Sequence, residues 1–238
     1  MKSVFLSAQW RKLAIANYAV DPAMLMPYLP YKTELDFFKD TCYISLVGFM
    51  FLDTRLKGIP IPFHRNFEEI NLRFYVKHHD GTGWKRGVVF IQEIVPKPAL
   101  SLVANTFYKE KYITLPARHC WTETAGELEI SYGWRHRRQW NNFIVKADPV
   151  QQSIAAGSAE EFITEHYWGY TKMNDRLTSE YPVEHPRWNV YPVNNYNIDV
   201  RFGEVYGNAF AFLDALQPES VMLAEGSAIK VGAMKKIR

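Results

Sequence analysis

Short runs in which apolar and polar residues alternate with a period of two, broken at close intervals by Gly, Pro and Asp or Asn, fill most of the chain. Such a pattern leaves little room for long helices and specifies half-buried strands. The clearest run is HRNFEEINLRFYV, His64 to Val76. As a strand it places Glu68, Ile70, Leu72, Phe74 and Val76 on one face and Phe67, Glu69, Asn71, Arg73 and Tyr75 on the other. The first row is a core face with Glu68 at its start. The second carries an acid, an amide, a guanidinium and a phenol in register, which makes it either a solvated sheet surface or the polar lining of a pocket.

The rest of the chain reads the same way. Ala8 to Val20 suits a strand, and DPAMLMPYLP suits a short helix capped by Asp21 and ended by Pro27 and Pro30. ELDFFKDTCYISLVGFMFLD forms a hairpin turning at Lys39-Asp40, and Thr54 to Arg65, with Gly58, Pro60 and Pro62, reads as a loop. HHDGTGW turns the chain into the apolar strand RGVVFIQEIV, Pro98 to Tyr108 has helical spacing, and TETAGELEISYGWRH turns at Ala125-Gly126. Ser158 and Glu161 form a capping box for a short helix ending near His166, and strands with turns, NAFAFLDAL among them, follow. With 238 residues, 47% of them hydrophobic, a single domain spanning residues 1–238 can bury a substantial core. The expected class is mainly β (α+β), an antiparallel barrel with a few short helices, since a closed sheet removes exposed edges.

Composition also excludes. A formal charge of +3 is too small for a phosphate-gripping surface, so no nucleic-acid partner is expected. The run GWRHRRQW interleaves Arg135, Arg137 and Arg138 with Trp134 and Trp140, but a strand whose Arg stems cover apolar surface accounts for it better than stacking on bases. No window has the length of about 18 apolar residues that a membrane span needs, and the N-terminal stretch lacks the apolar core of a signal peptide. Cys42 and Cys120 have no CxxC spacing and the seven histidines no HxH or HxxxH pairing, so a cytoplasmic protein with free thiols and no metal is expected. P-loop, Rossmann and serine-elbow motifs are missing. Polar chemistry concentrates instead at Trp10-Arg11-Lys12, at Glu68 to Arg73 and at Tyr108 to Tyr112, where charge inside aromatic, strand-rich sequence signals either a partly buried ionised pocket or ordinary exposed pairing.

NYAVDPAMLMPYLPYKTELD, FLDTRLKGIPIPFHRNFEEINLRFYV, RGVVFIQEIV, NTFYKEKYITLP and TEHYWGY together resemble an uncharacterised bacterial family placed in the acetoacetate-decarboxylase-like superfamily. The likeness covers most of the chain; that to acetoacetate decarboxylase itself is remote. It implies a closed antiparallel β-barrel with a central cavity, which is a fold more than an activity. The decarboxylase attacks a β-keto acid with a lysine in a Tyr-Pro-Lys-Lys run, forming a Schiff base. With that tyrosine on Tyr108, the proline falls on Lys109, the nucleophile on Glu110 and the second lysine on Lys111, which argues against Schiff-base decarboxylation. The resemblance also implies Arg11 as a cavity arginine suited to a carboxylate and Glu68 or Glu69 as a cavity glutamate; a second glutamate would fall in YISLVGF, which has Ser45 and no acid.

Two functions stay open. An enzyme, lyase-like or hydrolase-like on a small keto acid or lactone, would use Glu110 and Glu69 as acid and base, Lys109 and Lys111 to tune Glu110 or bind anion, and Arg11, Asn71, Arg73 and Tyr108 to bind substrate. A non-catalytic protein would hold a small organic anion in the same cavity, with Glu110 paired to Arg11 or Arg73. Both take a small organic acid or carbonyl ligand without a cofactor, and both are compatible with a homo-oligomer.

Overall fold

The computed structural model describes residues 4–107 and 110–238. Its main strands are β1 (Val4–Ala19), β2 (Thr41–Leu56), β3 (Phe67–His79), β4 (Trp84–Val95), β5 (Tyr112–Thr114), β6 (Ala117–Glu123), β7 (Leu128–His136), β8 (Gln139–Ala147), β9 (Trp168–Asn174), β10 (Leu177–Glu184), β11 (Val193–Asp199) and β12 (Ser220–Gly232). Helices α1 (Pro98–Phe107), α2 (Ala159–Thr164) and α3 (Phe202–Tyr206) connect them. In the larger sheet hydrogen-bonded neighbours follow the order β12-β1-β2-β3-β4-β9-β10, and β10 pairs again with β12 at Val183↔Val231 and Glu184↔Lys230. The second sheet has the order β11-β8-β7-β6.

The larger sheet is mixed, which corrects the purely antiparallel expectation. Strand β9 runs parallel to β4 through Trp168↔Gly87, and β5 runs parallel to β4 through Glu93↔Tyr112. Both parallel strands follow a helix, α2 and α1 respectively. A helical crossover can return the chain in the same direction, whereas a tight hairpin cannot.

Strand β3 separates two apolar clusters. Ile70, Leu72, Phe74 and Val76 face the second sheet and share a core with Tyr132, Trp134 and Phe143. Gly48 permits that contact, because a Cβ there would lie 2.8 Å from the Tyr132 ring. Phe67 and Tyr75 point the other way, among Leu13, Ile15, Phe49, Phe51 and Trp188. Each such side chain contributes about 1.5–3 kcal/mol when fully buried.

Local signals hold in part. Asp21 Oδ1 accepts a hydrogen bond from the Ala23 amide at 2.9 Å, capping the first of two short 3-10 turns, Pro22–Met24 and Met26–Tyr28, and Ser158 Oγ caps α2 by accepting from the Glu161 amide at 3.1 Å. Two expectations are corrected. NAFAFLDAL is a 3-10 helix over Asn208–Ala215, where the three-residue spacing of Phe210 and Leu213 buries both. GWRHRRQW is not one strand: it turns at Arg137-Arg138, both with positive φ, while Trp134 is fully buried and Arg118 and Arg135 lie over the Trp140 ring at 4.1 and 5.8 Å. Among the described residues no helix is long and apolar enough to cross a membrane.

Candidate functional site

The polar row of β3 lines a cavity. Glu69, Asn71 and Arg73 are 3%, 1% and 7% exposed and share one space of about 210 Å³ with Glu93, Glu110 and Tyr112. Its remaining wall is largely apolar, and Trp10, Phe49, Phe51, Phe67 and Trp188 supply much of it.

Two bulges decide which side chains reach this space. Between Leu72 and Arg73 the pairing with β4 slips, from Leu72↔Gln92 to Arg73↔Phe90. The extra residue changes the parity of β4, so Phe90 and Glu93, three apart, both line the cavity while Ile91 joins the core beneath the second sheet. On β1, Lys12 has φ 54° and the pairing with β2 slips between Arg11 and Ala14. Leu13 and Trp10 therefore both line the cavity, and Arg11 does not. Opposite this bulge Gly226, at φ 81°, passes so close that a Cβ would lie 2.1 Å from the Trp10 carbonyl oxygen.

Three glutamates meet in the cavity. Glu69 Oε1 accepts from Asn71 Nδ2 at 3.0 Å, and its Oε2 accepts from the Tyr112 hydroxyl at 3.0 Å. Tyr112 is also hydrogen-bonded to Glu93, and Glu110 Oε1 accepts from Thr171 Oγ1 at 2.7 Å, with Tyr181 as a further partner. Burial is the largest influence on all three. It pushes Glu69 up to about 7 against the pull of Asn71, Tyr112 and Arg73, with the charge of Glu110 adding to the rise. Glu110 is pushed up to about 7 despite Thr171, Tyr181 and Lys111, and Glu93 is raised well above the usual range by burial and by the charges of Glu110 and Glu69. Around neutral pH the cluster holds protons that ordinary carboxyls have lost, so it can donate as well as accept them.

Among the described lining residues Arg73 supplies the permanent cation of the site. Among the described residues it has no salt bridge, its Nε has no hydrogen-bond partner, and its guanidinium carbon lies 5.8 Å from the Tyr75 ring centroid. His166 also lines the cavity, with Nε2 3.2 Å from Asp36 Oδ2, which in turn accepts from Arg86 Nε at 2.6 Å. Burial pulls the imidazole down to about 4, so it is neutral at pH 7. A neutral ring that donates from Nε2 to a carboxylate keeps Nδ1 as an acceptor.

The expected site residues therefore separate. Glu69, Asn71, Arg73 and Glu110 come together. Arg11 lies outside, bound to Gln9 at 2.5 Å and to Glu225 at 3.4 Å, because the Lys12 bulge turns it away. Glu68, on the core row, meets His119 of β6 at 2.6 Å. Lys111 is exposed, with its ammonium 5.3 Å from the Tyr28 ring centroid, and is not part of the cavity lining. Tyr108 and Lys109 lie outside the described residues. Tyr112 enters as the end of the polar run Tyr108 to Tyr112, whereas Glu93, Tyr181, Thr171 and His166 are not singled out by the sequence; the one visible signal for them is an acid inside the apolar run VVFIQEIV. Among the described residues no cluster of three or more His, Cys, Asp and Glu side chains is arranged to hold a metal ion.

Known proteins share this fold. The crystal structure of acetoacetate decarboxylase from Legionella pneumophila superposes with a TM-score of 0.67 at 10% identity, over 98% of this chain and 87% of that one. An acetoacetate decarboxylase-like enzyme from Sphingomonas wittichii gives 0.66 at 11% identity, over 98% and 93%. The enduracididine biosynthesis enzyme MppR, solved with pyruvate, gives 0.64 at 10% identity, over 97% and 90%. At these identities the likeness is one of fold, and it bears out the acetoacetate-decarboxylase-like architecture. In sequence, the uncharacterized protein YqjF of Bacillus subtilis is 27% identical over 180 residues, 74% of this chain and 72% of that one. The model of the DUF2071 family, described as an uncharacterized conserved protein, matches residues 7–228, and the chain belongs to that family.

Proposed function

We propose that the cavity is the interior of a closed barrel and that it binds a small carboxylate bearing a carbonyl group and moves protons at that carbonyl. The return pairing of β10 with β12 supports closure. The observation that carries the function is Arg73: a guanidinium 7% exposed, without a salt bridge among the described residues, beside carboxyls that burial shifts up to about 7, so that protonated and ionised forms coexist near neutral pH. A buried charge without a partner is costly, and an anionic ligand removes that cost. A carboxylate fits the planar donor fork of arginine, and the ligand's carbonyl would then lie near Glu69, Glu110 and Tyr112. A protonated carboxyl or phenol stabilises charge developing on the carbonyl oxygen, and an ionised neighbour accepts a proton from the adjacent carbon. That MppR was solved with pyruvate agrees with such a ligand.

Schiff-base chemistry is disfavoured. Among the described residues no lysine lines the cavity, and the motif resemblance at Tyr108 to Lys111 sets Glu110 where the decarboxylase has its amine. Thermal shift with keto acids, lactones and short carboxylates tests the binding, because a ligand of the native state raises the melting temperature. Any ligand found is then incubated in deuterium oxide and its carbon-bound protons followed by NMR. Loss of the signal next to the carbonyl supports proton transfer; binding without exchange leaves a binding protein; no thermal shift with any of the three classes defeats both.

A further inference from the structure

We infer that the natural ligand is an aryl-bearing keto acid, with its carboxylate at Arg73 and its ring held by an aromatic layer farther along the cavity. This rests on the reading of the cavity as a keto-acid site and adds the identity of the body behind the head group. Register defines the layer. Across β3 and β2, Val47 pairs with Asn71, Phe49 with Glu69 and Phe51 with Phe67, and across β2 and β1 Phe51 pairs with Trp10. At about 3.4 Å of rise per residue, the layer begins level with Glu69 at Phe49 and reaches Phe67 roughly 7 Å farther along the strand, roughly 20 Å from the Arg73 backbone, a span that the long arginine side chain and the ligand cover together.

The polar and aromatic sections are thus consecutive parts of one cavity. Trp10 meets Phe49, Phe51 and Trp188 at centroid distances of 5.3, 5.8 and 6.3 Å, all edge-on, and Phe51 stacks on Phe67 at 4.7 Å. All five rings line the space. A three-carbon keto acid seated at Arg73 is too short to reach them, so their apolar surface gains nothing from its binding. A ring two or three bonds beyond the carbonyl spans the 7 Å step and offers the face and edge that such walls pair with. A plain alkyl tail would fill the same space without that pairing. Two polar atoms of this section, Trp10 Nε1 and Thr54 Oγ1, are buried without hydrogen-bond partners. The indole N–H can donate to the π face of a bound ring or to an oxygen on it.

Fluorescence titration of the full chain with pyruvate, phenylpyruvate, 2-oxooctanoate and 2-phenylethanol tests the inference. Phenylpyruvate is expected to bind tightest, roughly tenfold to a hundredfold tighter than pyruvate, the range expected for burying one such ring. Phe67→Leu should erase most of that advantage and leave pyruvate unchanged, and Arg73→Met should weaken both keto acids alike. Phe51→Leu serves the same purpose if Phe67→Leu does not unfold cooperatively. Pyruvate binding as tightly as phenylpyruvate would overturn the aryl assignment alone, as would 2-oxooctanoate binding tighter or 2-phenylethanol binding equally well. If no keto acid binds, the keto-acid reading falls and takes the inference with it.

Discussion

Replacing Glu69 by Gln should make this protein more stable, and increasingly so as the pH rises. Glu69 is 3% exposed, and burial raises its carboxyl from the ordinary 4.5 to about 7. Between those values the folded protein keeps a proton that the unfolded chain has released, so stability falls as pH climbs through that window and levels off above it. At about 1.4 kcal/mol for each pH unit, the full loss is about 3 kcal/mol. Gln resembles the protonated acid in shape but cannot ionise. Its amide oxygen can accept from Asn71 and its amide nitrogen can donate to the Tyr112 oxygen, while Tyr112 donates to Glu93. Urea unfolding of both proteins at pH 4.5, 6, 7 and 8 reads this directly. The two should be nearly equal at pH 4.5, with Glu69→Gln ahead by about 3 kcal/mol at pH 8. A gap that does not change with pH, or a variant that is weaker at pH 8, would refute the claim that Glu69 is a carboxyl held protonated by burial.

Other outcomes follow from the same geometry. Arg73→Met should leave the unfolding midpoint unchanged or raise it in the absence of ligand, because no salt bridge among the described residues is lost, whereas breaking a buried pair costs roughly 3–5 kcal/mol. Gly226→Ala should destabilise by about 2 kcal/mol or more, read by urea unfolding, since the new methyl would lie 2.1 Å from the Trp10 carbonyl oxygen at φ 81°. Thr171→Val removes the donor to Glu110 and should cost about 1–2 kcal/mol by the same measurement. His166, pulled down to about 4 by burial, should show no NMR titration between pH 5 and 8; its contribution to stability is lost only as pH falls from 6.5 through 4.

What was legible in the sequence was whatever strict alternation preserves. Asn71 and Arg73 follow Glu69 at intervals of two on an uninterrupted part of β3, and their common face could be read directly. Arg11 could not, because one extra residue at Lys12 reverses the parity of β1 and puts Trp10 where strict alternation from Leu13 would put Arg11. The slip opposite Leu72 hid Glu93 in the same way, turning an apparently apolar strand into the source of a buried acid. Glu110 stood out as the acid of the polar run Tyr108 to Tyr112, and the family resemblance set it at the nucleophile position, but its partners Thr171 and Tyr181 belong to strands about 60 and 70 residues away, beyond any local pattern. The parallel pairings of β5 and β9 with β4 depend on where α1 and α2 return the chain, which is a property of tertiary packing.

A crystal structure with a keto acid bound would decide whether Arg73 is the anion anchor of the cavity. The ligand's carboxylate should lie within about 2.7–3.2 Å of the Arg73 guanidinium and its carbonyl oxygen within the same reach of Glu69, Glu110 or Tyr112. A carboxylate bound elsewhere, with Arg73 still unpaired, would contradict that role.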